Sequence, residues 1–136
     1  TALWVALIVT QRKIYSVMDS ALKAAGLPPL RWYDVLWELE RSKECGARAF
    51  ELEAKLIFQQ SNLSRLLQRM IGDGLVEEFV FEDDRRGKVL RITDDGRVVR
   101  KQMWKIYGPL IHEHMSQASN HDDLASATAT LVSLTK

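Results

Sequence analysis

The chain has 136 residues, 46% of them apolar and 27% charged, with a formal net charge of +1. That length holds one domain with a core of its own, and the composition is ordinary for a soluble globular protein. No apolar run approaches the roughly 20 residues of a membrane-spanning helix, the apolar opening Thr1–Thr10 lacks the basic flank of a secretion signal, and a lone Cys45 excludes an internal disulfide. The expectation is a cytoplasmic protein with no membrane partner and with Cys45 as an inert loop thiol.

Taken in order, residues 2–25 read as a long amphipathic helix. Trp4, Leu7, Ile8, Ile14, Tyr15, Met18 and Leu22 fall at helical spacing and Gly26 ends the run. Pro28-Pro29 makes a rigid break. A second helix over 30–43 carries Leu30, Trp32, Tyr33, Leu36 and Trp37 as its apolar content, with Glu38, Glu40, Arg41 and Lys43 as the solvated side. A loop through Cys45 leads to a short helix near Ala49–Leu56, and a turn at Ile57-Phe58 to another helix over Gln59–Met70.

This last helix has two unlike faces. Leu63, Leu66, Leu67 and Met70 share one side, at three- and four-residue steps. Gln60, Ser61, Asn62, Ser64, Arg65, Gln68 and Arg69 take most of the other, a surface of amide, hydroxyl and guanidinium groups without an acid. After Gly72-Asp73-Gly74 come two β-prone runs, Leu75–Phe81 and Lys88–Thr93, around the polar tip Glu82–Gly87. Such a pair makes a hairpin. Two short helices, the second rich in donors, followed by a hairpin with a basic tip, are the layout of a winged helix-turn-helix, in which a helix enters the major groove and the wing reaches the backbone or minor groove. Charge is distributed to match: residues 1–54 carry seven basic and seven acidic side chains, residues 55–105 eleven and eight, and residues 106–136 one and three. A surplus of three is modest, since charged runs are usually solvated faces.

Beyond the wing, Thr93 or Asp94 caps a helix over about 95–115, with Val99, Met103, Ile106, Leu110 and Ile111 along one face and an interruption expected at Gly108-Pro109. A last helix over about 122–134 carries Leu124, Leu131 and Leu134. A small winged helix does not need these outer helices, so they are expected to bury themselves against a second copy. The fold class is therefore mainly α (α+β), one domain of residues 1–136, with a winged helix-turn-helix core over 30–96 and dimerisation helices over 1–25 and 95–136.

No enzyme motif is present: no Gly-rich phosphate loop, nucleophile elbow, His-Glu-x-x-His or Cys-x-x-Cys. His112 and His114, two apart, diverge on a helix, so neither a metal nor a cofactor is expected. Trp4, Tyr15, Trp32, Trp37 and Trp104 suit a core or a dimer interface; a ligand pocket lined by Tyr15, Trp32 and Trp37 is the sharper hypothesis.

The chain resembles the MarR family, the multiple-antibiotic-resistance-type regulators. The resemblance is carried by Asn62-Leu63-Ser64-Arg65-Leu66-Leu67, by Gly74-Leu75-Val76, by Asp84-Arg85-Arg86, and by Leu90-Arg91-Ile92-Thr93-Asp94-Asp95-Gly96. Glu77-Glu78, where the family usually has a basic residue, and Ile71, where an acid is common, depart from it. The resemblance implies a homodimeric transcriptional repressor that reads a palindromic duplex operator and is released by a small effector, often an aromatic acid. It also implies that Arg86 enters the minor groove with Asp84 orienting it, and that Ser61, Asn62, Ser64 and Arg65 face the major groove. Gln60, Arg69, Arg85 and Lys88 complete the expected DNA-contacting set, although a charged helix edge or hairpin tip also serves simply to stay solvated and blunt aggregation. The rival expectation is a winged-helix protein–protein interaction module without DNA reading, favoured by Glu77, Glu78, Glu82 and Asp83 near the wing.

Overall fold

The computed structural model describes residues 1–59, 61–80, 87–117 and 120–136. Within them run α1 (Ala2–Ala24), α2 (Leu30–Ser42), a 3-10 turn (Lys43–Cys45), α3 (Ala49–Lys55), α4 (Leu63–Gly72), β1 (Val76–Val80), β2 (Lys88–Ile92), α5 (Asp94–Met115) and α6 (His121–Leu134). The expected order of elements holds throughout.

Helix ends follow from local chemistry. At the end of α1, Gly26 takes φ +73°, and the Leu27 N–H closes the helix by donating to Leu22 O at 2.9 Å. The first N–H of α2, on Leu30, donates to the Asp19 carboxylate of α1 at 2.8 Å. One side chain thus both caps α2 and fixes its angle to α1. Asn62 accepts the Arg65 N–H at 3.1 Å, and Thr93 Oγ1 accepts the Gly96 N–H at 3.0 Å, so α4 and α5 each begin on a side-chain cap.

The core gathers one face from almost every element. Met18 and Leu22 come from α1, Leu30, Trp32, Val35, Leu36 and Leu39 from α2, and Leu52 from α3. Leu63, Leu66, Leu67 and Met70 of α4, Leu75, Val76, Leu90 and Ile92 of the hairpin, and Met103 of α5 complete it. α1 and α2 both pack on α5, while α2 also meets β2. The strands are antiparallel, in register from Val76 opposite Ile92 to Val80 opposite Lys88. A third strand position, not foreseen, is Ala47, which exchanges both backbone hydrogen bonds with Leu90 at 2.9 and 2.8 Å. Gly46 is required beside it, because a Cβ there would meet Val89 Cγ1 at 2.6 Å.

Four expectations need correction. Helix α4 starts at Leu63 rather than Gln59, because the Asn62 side chain takes the amide of the first turn. Helix α5 is not interrupted at Gly108-Pro109 but stays helical from Asp94 to Met115. Gly108 instead makes room for an indole, since a Cβ there would lie 2.9 Å from Trp104 Cε2. Trp37 is 39% exposed, with the Arg100 guanidinium 5.3 Å from its ring centroid; the apolar face of α2 is completed by Val35 and Leu39 instead. Glu40 is not a solvated residue: it is half-buried and forms an ion pair with Arg100 of α5.

Two surfaces stay apolar and uncovered. Leu3, Trp4, Val5, Ile8 and Val9 of α1 are each at least 41% exposed, and α6 buries no residue. No helix among the described residues is long and apolar enough to cross a membrane.

Candidate nucleic-acid interface

A buried carboxylate sets the position of α4. Asp34 of α2 is 3% exposed and accepts the Phe58 N–H at 2.9 Å. Burial raises its pKa above the ordinary aspartate value, with the N–H groups of Phe58 and Ile57 pulling the other way and Glu38 adding to the rise. The Asp34 bond fastens the turn between α3 and α4 to α2, while the leucine and methionine stripe of α4 seats in the core. Together they force Ser64, Arg65, Gln68 and Arg69 outward, and all four are exposed.

At the N-terminal end of α4, Ser61, Asn62, Arg65, Leu66 and Arg69 line a polar hollow of about 210 Å³, and Arg31 from the first turn of α2 closes its far side. A larger groove of about 660 Å³ adjoins it, lined by Gln11, Arg12, Tyr15, Arg31, Ile57, Phe58, Gln59 and Ser61. Neither hollow has a carboxylate among its lining residues. None of Arg12, Arg31, Arg65 and Arg69 forms an ion pair with an acid among the described residues. Donors facing water without a countercharge are what a phosphate backbone and base edges can engage.

The expected DNA-contacting residues are therefore partly brought together. Ser61, Asn62, Arg65 and Arg69 share one hollow, and Ser64 is exposed on the same helix. Asn62 spends its side-chain oxygen on the cap, which leaves its NH2 group as the outward donor. Lys88, at the start of β2, reaches Glu78 across the hairpin at 3.6 Å. Gln60, Asp84, Arg85 and Arg86 lie outside the described residues. Arg31 belongs to the basic surface and was not anticipated, because it stands more than thirty residues before α4 among aromatic neighbours that suggest only core.

The three aromatic residues expected to line one pocket do not meet. Tyr15 lines the groove, edge-on to Phe58 with ring centroids 5.1 Å apart. Trp32 is buried in the core at 8% exposure, and Trp37 lies under Arg100 on another face. Below Tyr15 and Phe58 the groove continues into an apolar recess of about 270 Å³ lined by Leu7, Ile14, Met18, Leu30, Tyr107, Ile111 and Met115, among others. Burial raises the Tyr15 pKa, and Asp19 raises it further; Arg31 opposes both, by its charge and by its backbone N–H. The sharpest sequence signal for this recess was Tyr15 together with Ile14 and Met18 on one helix; Phe58 and Arg31 reach it only through the tertiary fold. No group of three or more His, Cys, Asp or Glu side chains among the described residues is arranged to hold a metal ion.

A helix-turn-helix over α3 and α4, a two-stranded hairpin behind it and helices at either end define a winged helix-turn-helix with terminal helical extensions. Residues 25–87 match the MarR family model. The multiple antibiotic resistance protein MarR of Escherichia coli is 26% identical over 76 residues, covering 56% of this chain and 53% of that protein. The chain thus spans about half the length of the curated relatives it matches. Among solved structures, AbsC, a MarR family transcriptional regulator from Streptomyces coelicolor, superposes with a TM-score of 0.84 at 22% identity, over 98% of this chain and 90% of that one. A mutant MarR from E. coli, crystallised with operator DNA, superposes with a TM-score of 0.83 at 20% identity, over 98% and 93%. Sequence match, relatives and fold point the same way: the chain has a winged helix-turn-helix fold similar to that of MarR family regulators.

Proposed function

We propose that this protein is a homodimeric transcriptional regulator that binds a palindromic duplex operator in a sequence-specific manner, acts as a repressor, and is released by a small aromatic acid. The observation that carries the reading is the acid-free surface at the start of α4, where Ser61 and the cap residue Asn62 stand exposed ahead of the helix and Arg65 and Arg69 on it, the helix itself being seated firmly in the core. Amide and hydroxyl donors address adenine edges and phosphates, and arginine addresses guanine. Arg86, with Asp84 to orient it, is assigned to the minor groove, with Arg85 and Lys88 as backbone contacts. Lys88 gives up little in leaving Glu78, because exposed ion pairs contribute little.

The exposed apolar stretch of α1 and the unburied α6 supply the surface for a second copy. Paired α4 helices would then meet successive major grooves roughly 34 Å apart. The effector site is assigned to the groove under Tyr15 and Phe58, whose mouth carries Arg12 and whose floor is apolar, a match for a flat anion with one carboxylate. Trp32 and Trp37 take no part. An effector lowers DNA affinity only by favouring a dimer whose recognition helices are wrongly spaced.

The test is duplex binding against genomic and random fragments at two salt concentrations, using wild type, Arg65→Ala and Arg86→Ala. Tight, salt-sensitive binding to few fragments, weakened by both substitutions, is the expected result. Binding indifferent to fragment and to both arginines would favour a protein–protein interaction module, the reading suggested by exposed Glu77 and the 68% exposed Val80 on β1.

A further inference from the structure

We propose that Arg31 is a phosphate-contacting residue, extending the DNA surface beyond the helix-turn-helix and the wing onto the start of α2; this rests on the DNA-binding reading above. Three observations place it there. Arg31 is exposed and lines the hollow at the N-terminal end of α4 together with Ser61, Asn62, Arg65 and Arg69. Its guanidinium has no ion-pair partner among the described residues, in a chain where Arg41, Arg48, Arg97 and Arg100 each pair with an acid. Finally, its base is held firmly: the Leu30 N–H next to it is bonded to Asp19 at 2.8 Å, and Trp32 after it is buried in the core.

The geometry gives Arg31 a role different from that of Arg65. Arg65 projects from the helix assigned to the major groove, where it can meet base edges. Arg31 projects from a neighbouring helix at the rim of the same hollow. A duplex seated on α4 presents its sugar–phosphate strand at that rim rather than its bases. Contacts of this kind fix orientation and add affinity without reading sequence. Arginine suits the position because its planar fork grips a phosphate through two donors. Asp19 accepts the Leu30 N–H at 2.8 Å and forms no ion pair with Arg31 among the described residues, so Arg31 is not drawn away from the surface.

The experiment compares wild type, Arg31→Ala, Arg31→Lys and Arg65→Ala on the best-bound genomic fragment and on a random duplex, across a salt series. For Arg31→Ala the expected loss is roughly fivefold per protomer, the worth of one net hydrogen bond, equal on both duplexes. The slope of log affinity against log salt should flatten by about 0.9 per protomer. Arg31→Lys should recover most of the slope, and Arg65→Ala should lose affinity mainly on the selected fragment. Thermal midpoints of both Arg31 variants should match wild type, which separates a DNA contact from a structural role. An unchanged slope in Arg31→Ala beside a weakened Arg65→Ala overturns the proposal and leaves the DNA-binding reading standing. Absence of duplex binding by the wild type overturns both. A lowered thermal midpoint, or a loss in Arg31→Ala confined to the selected fragment, also overturns it.

Discussion

Replacing Asp34 by alanine strikes the joint between the core and the proposed DNA surface. The side chain is 3% exposed and its carboxylate takes the Phe58 N–H at 2.9 Å, with the Ile57 N–H also near. Alanine leaves a part-buried donor without an acceptor, which costs about 1–3 kcal/mol, or roughly 4–12 °C in thermal midpoint for a chain of this size. Asparagine keeps one acceptor and removes the buried charge, so it should cost about half as much or less. The pH dependence has a definite sign. Because burial raises the folded-state pKa of Asp34 above the ordinary aspartate value, the folded protein binds this proton more tightly than the unfolded chain. The stability this adds is complete below the unfolded pKa and is lost as pH rises through the folded one. The cost of Asp34→Ala should therefore be larger at pH 4 than at pH 7. Urea melts of the three proteins at both pH values measure this, alongside duplex binding, which should weaken in Asp34→Ala as the turn before α4 loosens. A loss under about 0.5 kcal/mol at both pH values, below the range for an orphaned buried donor, would refute the reasoning, as would a larger cost at pH 7.

Other substitutions probe separate links. Gly96→Ala would drive a Cβ into the Leu75 carbonyl and to 2.7 Å from Ile92 Cγ1, so urea unfolding should show a loss of about 1–3 kcal/mol from overpacking. Asn62→Ala removes the cap of α4 and should cost about 1 kcal/mol. Asn62→Asp should keep that stability in the same melts yet bind duplex more weakly, since it places an acid on the proposed DNA surface. Ile8→Glu, on the uncovered face of α1, should shift sedimentation from dimer to monomer; an unchanged coefficient would rule out that face as the interface. Tyr15→Ala should leave operator binding in place while abolishing release by substituted benzoates, measured by duplex displacement.

The amphipathic pattern of the sequence carried far. Leu63, Leu66, Leu67 and Met70 are all buried, and the side chains between them face out as their spacing demands, because a helix packed on one side leaves no other arrangement. The antiparallel strand pair and a cap at Thr93 or Asp94 were legible for the same reason: each depends on neighbours close along the chain. What periodicity could not say is which partner a side chain meets. Trp37 sits at a position that favours an apolar neighbour, yet its neighbour is the Arg100 guanidinium 63 residues away in the sequence. Asp34, within a helix of tryptophans and leucines, gave no hint that its acceptor serves Phe58. Arg31, between Leu30 and Trp32, carries no local signal and joins the polar hollow only because α4 folds beside it. Asn62 was assigned to a groove-facing helix because its type suits both DNA and a cap, and only the backbone shows that the cap takes its oxygen.

The double hydrogen bond between Ala47 and Leu90 ties the residue two before α3 to the middle of β2. On the other side of the hairpin, Thr93 donates its hydroxyl to Gly74 O at 2.6 Å, and its N–H to Leu75 O at 3.0 Å. The helix-turn-helix and the base of the hairpin are thereby stitched along two seams, one ahead of α3 and one behind α4. In a native-state amide-exchange experiment the Ala47, Leu90 and Thr93 protons should open as a single cooperative block rather than one after another. A unit built in this way has few internal degrees of freedom. Whatever tilts α4 carries the root of the hairpin with it, so the two halves of the surface turn as one rigid piece.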